Sequence, residues 1–198
     1  MVQKWKPTPV STNFMRNGTQ KKEKPGRGRP RSFDEGEVLD RVRAVFLEKG
    51  FAGASLDDLA AAAGLNRPSL YAAFGDKEQL YLHALNRYGV LSVAGMDAIL
   101  TRKGPLEQRL GQLYRSAVSL YTGPAKAPGC MIVNTAAVEA PTHPKIAAAA
   151  AKLLAEIEAS LERAFARAVA EKEIPPTPSP AARARLAGGI FDTLAVRA

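Results

Sequence analysis

The sequence has few of the residues that build enzymatic or metal centres. Among its 198 residues are one cysteine and two histidines. A single cysteine, Cys130, excludes an intramolecular disulfide and a multi-cysteine zinc site, and His83 and His143 are too isolated to indicate metal binding. We therefore expect a protein that is not an enzyme and that binds no metal and no cofactor.

Long apolar runs are also lacking. No stretch approaches the roughly 20 residues of a transmembrane helix, and the N-terminus is too polar for a secretory signal. With 46% hydrophobic and 24% charged residues, the chain can form one sizeable core or two small domains. We expect a soluble, cytoplasmic protein without a membrane partner.

Acidic residues are nearly missing from the N-terminal arm, residues 1–31. The first 33 residues hold nine Lys and Arg against one acid, Glu23, and so carry +8 of the net charge of +9. Four prolines, three glycines and no apolar periodicity predict an arm that is disordered in isolation. Such a basic arm indicates binding to nucleic acid through counterion release and minor-groove insertion. For residues 4–24 the alternative is a merely solvated basic leader, and another possibility is that the true start is Met15 or a later codon.

The end of this arm reads RGRPR, which resembles the core of an AT-hook. In that motif an extended Arg-Gly-Arg-Pro segment lies in a narrow A·T minor groove. Arg27, Arg29 and Arg31 are therefore candidate DNA contacts.

The segment 55–77, SLDDLAAAAGLNRPSLYAAFGDK, predicts two short helices with a sharp turn between them. Ser55 and Asp58 are typical of a capping box, and an apolar stripe follows at helical spacing. Gly64 can take the left-handed conformation that the turn requires. Asn66 can cap the second helix, with Pro68 in its first turn.

In the second of these helices, Leu70 and Phe74 are predicted to point into a small core together with Leu65. The remaining positions are left for phosphates and base edges, as in a helix-turn-helix that holds DNA. These positions are Arg67, Ser69, Tyr71, Ala72 and Ala73. An ordinary helical hairpin is the alternative interpretation of this segment.

Pairs of cap residues three positions apart predict where the flanking helices begin. Ser32 and Glu35 predict the start of a first helix, whose stripe Val38, Leu39, Val42, Val45 and Phe46 is buried and which ends at Gly50. Asp76 and Gln79 predict a fourth helix reaching towards Leu100. Lys77 lies in its first turn, where a phosphate contact is chemically natural.

The second half predicts further helices separated by Gly and Pro. A fifth helix carries Leu106, Leu110, Leu113, Ala117 and Leu120 at amphipathic spacing. A short helix at 130–140 and a long one at 145–172 follow. A last helix at 181–198 carries Leu186, Ile190 and Leu194.

From Gly28 to about Tyr88 the chain resembles the DNA-binding domain of TetR-family transcriptional regulators. The resemblance is carried by GRPR (28–31), AVFLEKGF (44–51), SLDDLAAAAGL (55–65) and SLYAAFGDKEQL (69–80). It implies an all-α fold with a basic arm (1–31), a three-helix helix-turn-helix domain (32–76) and a helical ligand-binding and dimerisation domain (77–198).

The resemblance also implies a homodimer whose two reading helices enter successive major grooves of a pseudo-palindromic double-stranded operator. Ser55, Tyr71 and Lys77 match positions that hold phosphates, while Arg67, Ser69 and Ala72 match positions that face bases. Each role has an alternative: Tyr71 packing on the first helix, Ser69 satisfying backbone, and Ala72 serving as a surface helix former.

In this family the second half holds a small-molecule pocket and a dimer bundle made by the last two helices. Here one helix follows the proline-rich linker at 175–178, so either the bundle is built differently or the sequence is truncated and its dimer is weakened. The run PGCMIVN (128–134) resembles a recurrent element of one branch of the family. Candidate pocket residues are Tyr114, Tyr121, Cys130, Met131 and Asn134, and an apolar lining would fit a lipophilic or aromatic effector.

Cys130 has two interpretations, a small buried hydrophobe or a sensor of electrophiles or oxidants. For the whole protein we predict a repressor that a small-molecule effector releases from its operator. The alternative is an architectural A·T-rich DNA-binding protein dominated by the basic arm.

Overall fold

The computed structural model describes residues 33–122, 130–139 and 141–197, in which eight α-helices and no strand are found. The helices are α1 (Glu35–Gly53), α2 (Leu56–Ala63), α3 (Arg67–Phe74), α4 (Lys77–Leu100), α5 (Leu106–Tyr121), α6 (Met131–Asn134), α7 (Pro144–Ala170) and α8 (Pro180–Arg197). A π-helical turn, Thr135–Glu139, follows α6. The all-α prediction is confirmed, whereas the basic arm with Arg27, Arg29 and Arg31 lies outside the described residues.

Helix α1 begins later than the sequence predicts. Its N-cap is Asp34, whose carboxylate accepts the backbone N–H of Glu37 at 3.0 Å. An aspartate serves as well as a serine at an N-cap, and Asp34 directly precedes the helix. The predicted capping box of Ser32 with Glu35 involves Ser32, which lies outside the described residues. Most of the predicted stripe is buried: Val38, Leu39, Val42 and Phe46.

Gly50 bends α1 close to its end. Its φ of +70° is a left-handed value that a glycine adopts without steric penalty. The helix was predicted to stop here, but one further turn continues to Gly53. This bend lets the Phe51 ring pack against Phe46 and Tyr81, with ring centroids 6.2 and 5.3 Å apart.

Helix α4 joins the two halves of the molecule. Its predicted capping box is present, since Asp76 accepts the Gln79 N–H at 2.8 Å and Gln79 accepts the Asp76 N–H at 2.9 Å. One side of α4 packs on α1, where Arg87 and Asp40 form hydrogen bonds of 3.1 and 2.9 Å. The other side packs on α7. A movement of α4 would consequently change the packing in both halves of the molecule.

A buried arginine that the sequence patterns did not reveal ties three helices together. Arg109 of α5 is 2% exposed and donates to the Leu100 carbonyl at the end of α4, at 2.8 Å. It also pairs with Glu173, just beyond α7, at 3.3 Å. Glu173 in turn accepts the Leu106 N–H at 2.7 Å. Burying this charge is tolerable because it is paired and hydrogen-bonded.

Helices α7 and α8 pack along each other, and α8 uses its small residues to do so. Ala184, Ala187, Phe191 and Ala195 are buried at helical spacing. The larger Leu186 and Ile190, which were predicted as the apolar stripe, are 72% and 46% exposed. Small side chains allow a close approach to α7, and this leaves the bulkier aliphatic residues on the open face. None of the helices in the described part of the chain is both long and apolar enough to cross a membrane.

Candidate nucleic-acid interface and effector cavity

Helix α2 is held at its start by a capping box, as predicted. The Ser55 hydroxyl accepts the Asp58 N–H at 3.1 Å, and the Asp58 carboxylate accepts the Ser55 N–H at 3.1 Å. Lys49 pairs with Asp58 at 2.7 Å. Hydrogen bonds from Lys49 and then from Ser55 lower the pKa of Asp58 to about 2. Ser55 is exposed at this helix end, and its own hydroxyl donates to Asp58 Oδ2 at 2.7 Å.

The turn between α2 and α3 also forms as predicted. Gly64 has a φ of +66°, and its N–H bonds to the carbonyls of Ala60 and Ala61 at the end of α2. Asn66 is the N-cap of α3 and accepts the Ser69 N–H at 2.8 Å, with Pro68 in the first turn. These local contacts fix how α3 is presented relative to α2.

Helix α3 buries Leu70 and Phe74 and exposes the opposite surface. Leu65 is half-buried and packs against the same core. Tyr71 is 41% exposed. Asn66, Arg67 and Ala72 are exposed and Ser69 is half-buried. The predicted contact residues of α3 and its N-cap are thus accessible to solvent, Ser69 only in part.

Arg67 is the one predicted base contact that has a charged partner within the motif. Its Nε–H donates to Asp57 Oδ1 at 2.7 Å, and its Nη2 pairs with Asp57 Oδ2. The hydrogen bond lowers the pKa of Asp57 and raises that of Arg67, so both stay charged near neutral pH. Sequence reasoning missed Asp57, since a residue ten positions away has no helical spacing that links it to Arg67.

Lys77 opens α4 beside the end of α1. Its Nζ donates to the Ala52 carbonyl at 3.3 Å and lies 4.9 Å from the centroid of the Phe51 ring. A carboxylate partner is not found for it within the described residues. Its ammonium group is therefore positioned by uncharged groups, the Ala52 carbonyl and the Phe51 ring.

A cavity of about 50 Å³ lies in the second half, bounded by five helices. Its lining is mostly apolar, with the polar groups of two tyrosines, two serines, Cys130 and Asp192. The lining residues are Tyr88, Ser92, Met96, Leu113, Ser116, Ala117, Leu120, Tyr121, Cys130, Ile132, Val133, Ile157, Phe191 and Asp192. The Ser92 hydroxyl is buried and has no hydrogen-bond partner among the described residues.

The structure divides the predicted pocket residues into two groups. Tyr121 and Cys130 line the cavity. Tyr114 does not, because its hydroxyl donates to the Ala187 carbonyl at 3.0 Å and its ring stacks on Phe191. Met131 and Asn134 lie outside it too, in a separate cleft beside α1. Most of the lining was missed, since Tyr88, Ser92 and Ile157 read as ordinary core or surface positions of long helices.

The polar side of the cavity is formed by Cys130 and two tyrosines. Tyr88 and Tyr121 lie in the same lining as the Cys130 thiol, and burial raises the pKa of both tyrosines. Burial likewise raises the pKa of Asp192 at the rim. The described lining carries no Lys, Arg or His that could pair with an anion, so the cavity suits an uncharged molecule better than an acidic one.

The π-helical turn beside this cavity contacts α1, which together with α2 and α3 forms the part of the molecule that we call the reading head. Glu139 is 7% exposed and accepts the Phe51 N–H at 2.9 Å. Thr135 is hydrogen-bonded to the Tyr81 hydroxyl at 2.7 Å. The His143 ring packs on Phe51 with centroids 4.7 Å apart. The cavity wall is therefore connected to the end of α1 by a short chain of contacts.

These features define a helix-turn-helix DNA-binding head joined to an α-helical half with an internal cavity. Residues 38–84 match the family model for bacterial regulatory proteins of the tetR family, and residues 107–198 match that for the tetracyclin repressor-like C-terminal domain. The chain belongs to the TetR family of transcriptional regulators, which are DNA-binding proteins and not enzymes.

Individual relatives agree. The chain is 30% identical over 154 residues to the HTH-type transcriptional repressor ComR of Escherichia coli, covering 77% of this chain and 73% of ComR. It is 33% identical over 120 residues to the uncharacterised regulator YezE of Bacillus subtilis, a match that spans 62% of YezE. A solved complex of a cysteine-substituted TetR-family regulator CifR with 26-bp operator DNA has a TM-score of 0.77, is 28% identical, and matches 85% of this chain and 88% of that one.

Proposed function

We propose that this protein is a repressor that binds a pseudo-palindromic operator as a homodimer and is released by a small uncharged effector. The observation that carries the proposal is α4, which begins at Lys77 beside the reading head and lines the cavity with Tyr88, Ser92 and Met96. ComR and BdcR of Escherichia coli are named as repressors and CifR was solved on operator DNA, which supports the same role here.

At the operator, the two kinds of contact come from different residues. Ser55, Tyr71 and Lys77 hold phosphates of the DNA backbone. Asn66 caps the start of α3, where that helix meets the DNA backbone. Arg67, Ser69 and Ala72 face the bases, where Arg67 reads guanine and Ala72 touches only a thymine methyl. The basic arm adds affinity through Arg27, Arg29 and Arg31, by minor-groove insertion and counterion release.

The homodimer forms through α7 and α8. Leu186 and Ile190 lie on the open face of α8, and exposed aliphatic residues of this size mark an association surface. Replacing both with glutamate is expected to give monomers in sedimentation experiments and to abolish cooperative binding to a two-half-site duplex. Monomers that still bind the full site as tightly as the parent would refute this dimer.

Release by the effector follows from the position of the cavity. Tyr88, Ser92 and Met96 of α4 line it, so an effector that enlarges the cavity displaces α4 or its neighbours. The displacement changes the separation of the two reading helices. The effector acts only through its different affinity for the two states.

The test is selection of bound duplexes from a random pool, using the full chain and a version lacking residues 1–30. A reading head predicts one two-fold-symmetric motif with both proteins, with lower affinity and a smaller salt slope for the shortened one. If the full chain returns only A·T-rich DNA and the shortened chain nothing, the protein is an architectural binder in which the arm alone holds DNA.

Small apolar and aromatic compounds can then be screened for loss of operator binding. Ala117→Leu fills part of the cavity, since Ala117 is buried in its wall. We expect this variant to bind the operator with the affinity of the parent and to remain bound when the effector is added. Val118→Leu, one position along α5 at an exposed site, is the matched control.

A further inference from the structure

We infer that Asp57 is a positioning residue for base recognition, which orients the Arg67 guanidinium so that its outer edge reads a guanine. This inference rests on the proposed function, since it requires Arg67 to face the bases. It adds a residue whose negative charge would by itself be unfavourable beside DNA.

The two residues lie at the starts of neighbouring helices. Asp57 is the second residue of α2 and Arg67 is the first residue of α3. Their side chains are 74% and 53% exposed, so the pair stands on the surface of the motif and not in its core. An exposed ion pair adds little to stability. The main consequence of the ion pair is therefore that it orients the Arg67 side chain.

The hydrogen bonds determine which edge of the guanidinium is free. Asp57 accepts from the Nε–H at 2.7 Å and pairs through its other oxygen with Nη2, so it occupies the lateral edge. Arginine has five N–H donors in a fixed planar fork. The outer edge keeps one N–H on each terminal nitrogen, and this parallel pair matches the O6 and N7 acceptors of guanine.

Fixing Arg67 in this way improves selectivity more than affinity. An arginine free to rotate can move to the nearest phosphate, which carries no sequence information. A carboxylate on the lateral edge opposes that move by repelling phosphate and by holding the guanidinium plane. We therefore expect one position in each half-site to be guanine because of both residues, although only Arg67 touches it.

The experiment compares the full-length chain with Asp57→Asn, Asp57→Ala and Arg67→Ala in selections from a random duplex pool. Affinities are then measured on the selected duplex and on duplexes with that guanine replaced. Arg67→Ala is expected to lose the guanine preference at one position per half-site, by roughly five-fold or more. Asp57→Ala should lose most of the same preference, and Asp57→Asn, which can still accept one N–H, should be intermediate.

Two comparisons isolate the positioning role. In an Arg67→Ala background, Asp57→Ala should change nothing further at that position, because the two residues act as a unit. Glu171→Ala removes an exposed carboxylate paired with Arg167 far from the motif and gives the same change in net charge. It should leave every base preference unchanged. Circular dichroism melts establish that each variant is folded.

The outcomes separate this inference from the proposed function. If Asp57→Ala binds all duplexes more tightly with an unchanged guanine preference, Asp57 only competes with DNA and the inference is overturned. If Arg67→Ala keeps every base preference of a symmetric motif, the inference fails while the repressor stands. If the parent chain itself returns no motif, both fail together.

Discussion

The Glu139 carboxylate accepts the Phe51 backbone N–H at 2.9 Å, across 88 positions of sequence. Glu139 belongs to the π-helical turn next to the cavity wall, and Phe51 follows the bend at Gly50 in α1. The bond therefore joins the half that holds the cavity to the half that holds the reading helix. It also keeps a buried carboxylate and a backbone donor satisfied at the same time.

Replacing Glu139 tests this connection. Glu139→Ala leaves the Phe51 N–H without its acceptor and should lower the free energy of unfolding by about 1–3 kcal/mol. Glu139→Gln keeps an oxygen that can accept the same bond and should lose clearly less. Urea unfolding of the two variants makes the comparison. Equal losses would show that the carboxylate charge, and not the hydrogen bond, is what matters here.

Lys77 is expected to contribute affinity without selectivity. Lys77→Ala should weaken binding to all duplexes alike and reduce the slope of log affinity against log salt by about 1 per subunit, as for a lost phosphate contact. Lys77→Arg should restore most of both. The measurement is a salt titration of binding to the selected operator and to an unrelated duplex.

The control for this prediction lies at the other end of α4. Lys103 follows that helix, which spans 24 residues or ~36 Å. Lys103→Ala removes an equal charge far from the reading head and should leave the salt slope unchanged. A changed base preference in Lys77→Ala would contradict a pure phosphate contact.

The reading head could be predicted from the sequence because its determinants are local. In each capping box the two residues, Ser55 and Asp58 or Asp76 and Gln79, are three positions apart. The turn after α2 is predicted by Gly64 itself, which adopts the left-handed conformation there. The pairs that could not be predicted are distant in sequence. Asp57 lies ten positions from Arg67, and Glu139 lies 88 from Phe51. Packing decides these, because no local periodicity relates the partners.

The second half was predicted less well for the same reason. Helical spacing located α5, α7 and α8, but it does not say which neighbour each face meets. On α8 the small Ala184 and Ala187 are buried while Leu186 is exposed. Likewise Tyr114 packs on α8 and Tyr121 lines the cavity, although both are partly apolar residues of the same helix.

The buried tyrosines predict a loss of stability in alkali. Burial raises the pKa of Tyr81 to about 12, above the value near 10 of an unfolded tyrosine. Below pH 10 both states keep the proton and stability does not change. Between pH 10 and 12 only the unfolded state releases it, so stability should fall with rising pH, by about 2–3 kcal/mol at the upper end.

Urea unfolding at several values between pH 8 and 12 measures this slope. Tyr81→Phe loses the hydrogen bond with Thr135 and should be about 1 kcal/mol less stable at pH 8. Its alkaline decline should nevertheless be shallower, since one raised pKa is gone. Parallel curves for the parent and the variant would mean that Tyr81 does not contribute to the decline.

Cys130 is expected to act as a packing residue of the cavity wall. Cys130 is 5% exposed, and the described cavity lining around it carries no Lys, Arg or His that would supply a positive charge. A reactive cysteine needs a stabilised thiolate that solvent can reach. We expect slow reaction with a small disulfide reagent in the native protein and fast reaction after unfolding. Cys130→Ala should keep its operator affinity within about two-fold.

The sensor interpretation predicts the opposite result for the modified protein. Alkylation of Cys130 would then proceed readily in the folded state and release the operator, whereas Cys130→Ala treated with the same reagent would stay bound. Binding measured before and after treatment, with Cys130→Ala as the control for other sites, decides between the two. If the fully alkylated parent binds the operator with unchanged affinity, the sensor interpretation is wrong. A bulky adduct on Cys130 can affect DNA binding only by displacing the cavity wall in which this residue lies.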